Sequence, residues 1–250
     1  MKLQTDAAPG VHRISLGNAY ANWYLIEDND RLTVVDAGLP CSWEALRQAV
    51  SRLGRALDDI QALVLTHAHF DHMGFAERAR AELRIPVYVH ENDAPLTAHP
   101  WRYDHERRRI YYFTTQVRAY PIFATFLRHR AFWPPPLREV TRFDDGATLP
   151  VPGSPRMIPT PGHTVGHCAL HLPDRDAVIA GDAIVTLDPY TARTGPRLVA
   201  RAATVDSDRN IRSLDALTET QAQNVLVGHG EPWTDGVEAA VARARAAGAA

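Results

Sequence analysis

The chain has 250 residues, of which 45% are hydrophobic and 22% charged, with a formal net charge of −2. These are globular proportions, enough for one sizeable core, and the near-neutral charge argues against a general attraction to nucleic acid or to anionic membranes. Met1-Lys2-Leu3-Gln4-Thr5-Asp6 has no signal-like apolar stretch, and no apolar run reaches the roughly 18 residues that would span a bilayer.

We therefore expect a cytoplasmic protein that binds neither nucleic acid nor membrane. Cys41 and Cys168 are the only cysteines, too few for a disulfide framework, and Cys168 reads as a small buried residue of a strand.

Val11 to Leu16, Asn22 to Glu27 and Arg31 to Asp36 read as an antiparallel set of strands, punctuated by turn residues such as Asp28-Asn29-Asp30. Ser42 is expected to cap a helix to about Leu53, whose Trp43, Leu46, Ala49, Val50 and Leu53 share one face. Gln61-Ala62-Leu63-Val64-Leu65 is a short apolar run bounded by polar residues, which predicts a buried strand. Thr66-His67-Ala68-His69-Phe70-Asp71-His72 follows at once, and a helix is expected from His72 to Leu83. Ile85-Pro86-Val87-Tyr88-Val89 is the next strand.

Residues 92–145 depart from this alternation. They hold Trp101, Tyr103, Tyr111, Tyr112, Phe113, Tyr120, Phe123, Phe126, Phe132 and Trp133 among many arginines, and end in Pro134-Pro135-Pro136, which cannot continue a helix. One or two helices with a proline-rich return are expected. Three readings stay open: a lid with an aromatic pocket wall, packing alone, or the contact of a homodimer. Further on, Asp206 or Ser207 can cap a helix with Ile211, Leu214 and Leu217 at helical spacing. A final helix from Val237 to about Ala247 is expected on the outside.

His67, His69, Asp71 and His72 put four candidate ligands at a strand's carboxyl end, where open α/β sheets place their chemistry. Imidazole nitrogen and carboxylate oxygen are the groups that hold zinc and similar ions. Three further fragments repeat the pattern of an apolar strand followed by glycine beside a ligand type. They are Thr160-Pro161-Gly162-His163, Ala177-Val178-Ile179-Ala180-Gly181-Asp182 and Asn224-Val225-Leu226-Val227-Gly228-His229. Each alone is weak, but together they supply seven ligands, more than one zinc ordinarily takes.

In these motifs the chain resembles the metallo-β-lactamase superfamily, in particular its glyoxalase II-like and lactonase-like hydrolases. The His-x-His-x-Asp-His motif stands at His67, His69, Asp71 and His72, the later lone histidine at His163, the bridging aspartate at Asp182 and the last histidine at His229. The resemblance implies a four-layer αββα sandwich over 1–250, with 92–145 inserted in it. It also implies two divalent ions, one held by His67, His69 and His163 and the other by Asp71, His72 and His229, with Asp182 bridging. Zinc is the expected metal, with iron or manganese as alternatives. Asp36, after the strand Leu32-Thr33-Val34-Val35, matches an aspartate expected to orient a ligand rather than bind metal.

The chemistry then expected is hydrolysis of an ester, lactone or thioester with an apolar portion, by a hydroxide bridging the metals. Asp71 and Asp182 are the catalytic candidates, Asp71 orienting the nucleophile or passing on its proton. Tyr190 and an arginine, Arg193 or Arg197, lie in a later loop and are candidate substrate contacts. Lactonases of the family place a tyrosine shortly after the bridging aspartate, whereas Val185 stands third after Asp182. The alternative is a persulfide dioxygenase-like enzyme, a mononuclear iron sulfur dioxygenase that uses only His67, His163 and Asp182.

Overall fold

Alternation along the strands sorts this chain into layers. The computed structural model describes residues 1–17 and 21–250. Strands β1 (Lys2–Ala8), β2 (Val11–Ser15), β3 (Asn22–Asp28), β4 (Arg31–Val35), β5 (Ile60–Val64), β6 (Val87–His90) and β7 (Thr141–Phe143) form one sheet in that order. Pairing is antiparallel from β1 to β4 and parallel from β4 to β7.

Six more strands follow: β8 (Arg156–Pro159), β9 (Cys168–Leu172), β10 (Ala177–Gly181), β11 (Val185–Leu187), β12 (Thr194–Arg197) and β13 (Asn224–Val227). A second sheet runs β13-β10-β9-β8, with β13 and β10 parallel, while β11 and β12 form a separate antiparallel pair. The helices are α1 (Trp43–Arg52), α2 (Ala76–Leu83), α3 (Ala94–Ala98), α4 (Arg109–Thr115), α5 (Tyr120–Arg128), α6 (Ser207–Thr218) and α7 (Val237–Ala247).

In β3, Trp23 and Leu25 point towards α1 and α2, whereas Tyr24 and Ile26 point towards the second sheet. In β10, Ala177 and Ile179 face the first sheet, while Val178 and Ala180 pack under α6 and α7. Successive side chains on a strand project to opposite faces, so strands apolar on both faces must sit between two layers. The expected αββα sandwich follows. α7 covers the second sheet with Val237, Ala240, Val241 and Ala244 buried beneath it. No helix among the described residues is long and apolar enough to cross a membrane.

Several boundaries differ from expectation. The first strand of the sheet, β1, has a largely exposed, mixed sequence that periodicity does not reveal. Ser42 does not cap α1. Its Oγ accepts from Leu39 N at 3.0 Å and closes a 3₁₀ turn over Pro40–Ser42 instead. The helix expected from His72 begins only at Ala76, because Gly74 N donates to Gly38 O and Phe75 N to Ala37 O. Those donors tie the ligand loop to the end of β4 rather than to a first helical turn. Within the segment expected as an insertion, α3, α4 and α5 lie between β6 and β7, but β7 itself belongs to the first sheet. Asp206 caps α6 as expected, its carboxylate accepting from Arg209 N at 2.7 Å.

Candidate metal centre

The strands β4, β5, β8, β10 and β13 deliver Asp36, the 66–72 loop, the 160–167 loop, Asp182 and His229, respectively, at or just beyond their carboxyl ends. The two sheets are joined there, with Cys168 N donating to Thr66 O and Asn22 N to Gly228 O. His67, His69, Asp71, His72, His163, Asp182 and His229 are all buried. They make three overlapping groups: His67, His69 and His163; His67, His72 and Asp182; Asp71, His72 and His229. Within each group the ligand atoms lie inside 4.8 Å of one another.

Asp182 stands between the groups. Its Oδ2 is 3.4 Å from His163 Nε2, 3.4 Å from His229 Nε2 and 3.9 Å from His67 Nε2, and its Oδ1 is 3.6 Å from His72 Nε2. His229 Nε2 lies 3.4 Å from Asp71 Oδ2. These separations exceed ordinary hydrogen bonds. Two donors about 2.1 Å from a tetrahedral ion stand roughly 3.4 Å apart, so the spacing suits ligands of a shared cation. His67, His69 and His163 each leave Nε2 buried without a hydrogen-bond partner, as does Asp182 Oδ1. Buried polar atoms are otherwise almost always paired, so these residues fit a bound divalent metal. A Cβ at Gly228 would come within 2.0 Å of Asp182 Oδ1, and only glycine lets the backbone pass so close.

The other ring nitrogen of each of three histidines is held from behind. Asp36 Oδ2 accepts from His72 Nδ1 at 2.9 Å and from Thr66 Oγ1 at 2.8 Å, and Oδ1 accepts from Thr66 N at 2.8 Å. With its hydroxyl proton committed to Asp36, Thr66 Oγ1 accepts from His67 Nδ1 at 3.0 Å. Thr204 Oγ1 is placed to do the same for His163 Nδ1, at 3.4 Å. These contacts select the tautomer whose Nε2 lone pair points inward.

Burial, together with the neighbouring His72 and the other imidazoles, holds His67 well below the usual histidine range; burial and His163 do the same to His69. Burial likewise brings His163 down to about 4. Burial also disfavours a charge on His72 and His229, but carboxylates outweigh it. Asp182 and Asp36 raise His72 well above its ordinary value, and Asp182 with Asp71 raises His229 to about 9. For Asp182, burial opposes the charge, and the cations His229 and His72 overcome it, keeping the carboxyl ionised.

The metallo-beta-lactamase superfamily profile matches residues 16–229. The chain belongs to that superfamily. Among its relatives, the probable metallo-hydrolase YflN of Bacillus subtilis (strain 168) is 27% identical over 246 residues, spanning 92% of this chain and 87% of that protein. The metallo-beta-lactamase family protein TTHA1429 from Thermus thermophilus superposes with a TM-score of 0.65 at 25% identity, over 94% of this chain and 78% of that one. TTHA1623, solved in a di-iron-bound form, superposes with a TM-score of 0.63 at 28% identity, over 91% and 96%.

In this superfamily member the narrow cleft beside the donors is walled by Phe70, Tyr103, Phe126, Pro189, Tyr190 and Val199. Tyr103 and Phe126 come from the 92–145 segment, which packs onto the ligand loop through a Phe70–Trp101 stack at 4.4 Å. Tyr190 thus lies where the sequence placed it, but Arg193 does not. Arg193 is exposed, and its backbone is what is engaged, the carbonyl accepting from Asp188 N and the N–H donating to Thr191 Oγ1. Arg197 bonds back to Gly195 O and Thr194 O at the edge of the β11–β12 pair. His90 pairs with Asp145 at 3.0 Å and is not one of these donors.

Two buried residues escape a reading of the sequence. His167 Nε2 accepts from Asp182 N at 3.0 Å, while Nδ1 faces Thr160 Oγ1 at 2.7 Å. The Gly166-His167 pair repeats the Gly-His spelling of residues 162–163 and 228–229, and that is its signal. Asp93 accepts from Ala68 N, Thr164 Oγ1 and Gly166 N at 3.0, 2.7 and 2.8 Å, tying the two ligand loops together. No local pattern marks it.

Proposed function

We propose that this protein is a metal-dependent hydrolase that holds two divalent ions and cleaves an ester, lactone or thioester. The observation that carries the reading is the set of buried, inward-facing donors assembled on both sides of Asp182. His67, His69 and His163 would hold one ion, and Asp71, His72 and His229 the other, with Asp182 shared. A pair of such ions supplies Lewis acidity and lowers the pKa of water into the neutral range. The name of YflN, a probable metallo-hydrolase, supports the reaction class, and the di-iron-bound form of TTHA1623 supports two ions rather than one.

The remaining steps fall to the protein's own groups. Asp71 faces both His229 and the cleft, so its carboxylate can orient the attacking water and take up its proton. The Tyr190 side chain borders the same space and can donate to an oxygen that gains charge. Phe70, Phe126 and Val199 offer an apolar wall, which supports a substrate with an apolar portion and the 92–145 segment as a lid. A mononuclear iron dioxygenase would leave the Asp71, His72 and His229 group without a task, which favours hydrolysis.

Metal analysis of the purified protein, together with a panel of short- and long-chain esters, lactones and thioesters, tests this reading. The expected result is about two zinc, iron or manganese ions per chain and chelator-sensitive hydrolysis. One iron per chain with oxygen uptake on persulfides would overturn it.

A further inference from the structure

Arg109, at the start of α4, packs on the cleft wall through Tyr103. Its guanidinium lies over two aromatic rings, with Cζ 4.9 Å from the centre of Tyr103 and 5.3 Å from that of Trp101. Tyr103 in turn packs on His69, ring centres 4.0 Å apart. Nε and Nη2 of Arg109 are both buried, and neither has a hydrogen-bond partner; the same is true of the Tyr103 hydroxyl.

These two nitrogens form one edge of the guanidinium, the fork that matches a carboxylate's two oxygens. Cation–π contact satisfies the face of the group but not the N–H bonds in its plane. Charged donors left unpaired in a buried position are costly, so the edge calls for an anionic acceptor. Arg109 and Tyr190 lie against the Tyr103 hydroxyl, and Tyr103 and Tyr190 line the cleft over the donors.

We propose that Arg109, with the Tyr103 hydroxyl beside it, receives a carboxylate on the substrate, so that the preferred substrates carry a carboxylate besides the bond that is cleaved. The cleavable bond rests on the hydrolase reading above; the carboxylate contact does not. The cleft leaves little free space beside the donors, which favours a short acyl chain between the two groups.

Hydrolysis of monomethyl glutarate and of methyl pentanoate, followed by acid release with the metal-loaded enzyme, compares a charged and a neutral ester of similar length. The native protein should favour the charged ester in kcat/KM, and Arg109→Met should lower that preference roughly 10- to 100-fold, mainly through KM. Arg109→Lys, which keeps the charge but loses the two-pronged edge, should fall between. A thermal-shift titration with glutarate gives an activity-independent readout: it should raise the Tm of the metal-loaded native protein more than that of Arg109→Met. Carboxylate binding by the metals alone would be common to both proteins.

Equal shifts in both proteins, or an equal loss on both esters, would overturn the proposal. If the native enzyme cleaves neither ester, nor any member of the wider panel, the hydrolase reading fails while the glutarate titration still decides the carboxylate site.

Discussion

Asp36 Oδ2 lies 2.9 Å from His72 Nδ1, and the same carboxylate reaches His67 through the Thr66 hydroxyl. One side chain thus aims a histidine of each donor group. It does so from a left-handed backbone conformation, φ +60°, which costs a non-glycine residue about 1–2 kcal/mol and which aspartate tolerates better than most. Asp36→Asn keeps the shape and the conformation but weakens the acceptor. It should cost about 10- to 100-fold in metal affinity, as loss of a supporting partner typically does. Titration against a competing chelator, with circular dichroism confirming the fold, checks this.

His67→Ala and Asp182→Ala each remove a donor rather than its support. Ester hydrolysis should fall by at least about 10³-fold if the chemistry depends on bound ions, with secondary structure retained. Turnover by either variant at the native rate, when supplied with metal, would place the reaction elsewhere.

The carboxylates around His229 raise it to about 9, and those around His72 raise it well above the ordinary range. Both rings are therefore protonated at pH 7 in the metal-free chain. Metal uptake should release about two protons per chain at that pH, measurable with an indicator dye in weak buffer. For stability the sign follows from a folded-state value above the unfolded one. His229 contributes fully below about 6.5 and loses that contribution as pH rises through about 9. Metal-free protein should therefore lose Tm between pH 7 and 10, and metal-loaded protein should not lose it by this route.

His167 serves Asp182 through the backbone. With Nε2 accepting from Asp182 N, Nδ1 carries the proton and donates to Thr160 Oγ1, and burial pushes the ring down to about 3, so it stays neutral. His167→Ala leaves a buried N–H unpaired and opens a cavity. It should destabilise the fold by about 2–4 kcal/mol and lower the metal content. His167→Gln, which can restore an acceptor and a donor, should recover part of both losses. Denaturant unfolding and metal stoichiometry read the two effects separately.

The Phe70–Trp101 stack fastens the aromatic segment to the ligand loop. Trp101→Ala should change KM and the preferred acyl chain length by several-fold while leaving metal content near the native value. A collapse of metal content with unchanged substrate range would mean that the segment supports the donors and does not cover them.

The metal-type residues are legible because each is a local event, an apolar strand followed at once by glycine or a turn and then a donor. Periodicity likewise marks β2 to β5, α6 and α7. Legibility fails where a backbone donor has a distant partner. The helix after the ligand loop starts at Ala76 because Gly74 and Phe75 donate to the end of β4, and nothing within residues 66–83 announces that. Chain order favours Arg193 over Arg109 because it follows Asp182, yet the β11–β12 pairing leaves it exposed.

The amino-acid order by itself determined the layers and the donor chemistry, since strand alternation and strand-end motifs are written within a few residues. Only the tertiary structure decided that Asp93 and His167 brace those donors, and that Tyr103, with Arg109 over its ring, packs against His69. Each of those relationships joins residues far apart in the chain, and the packing of one sheet on the other, not any local preference, sets their distance.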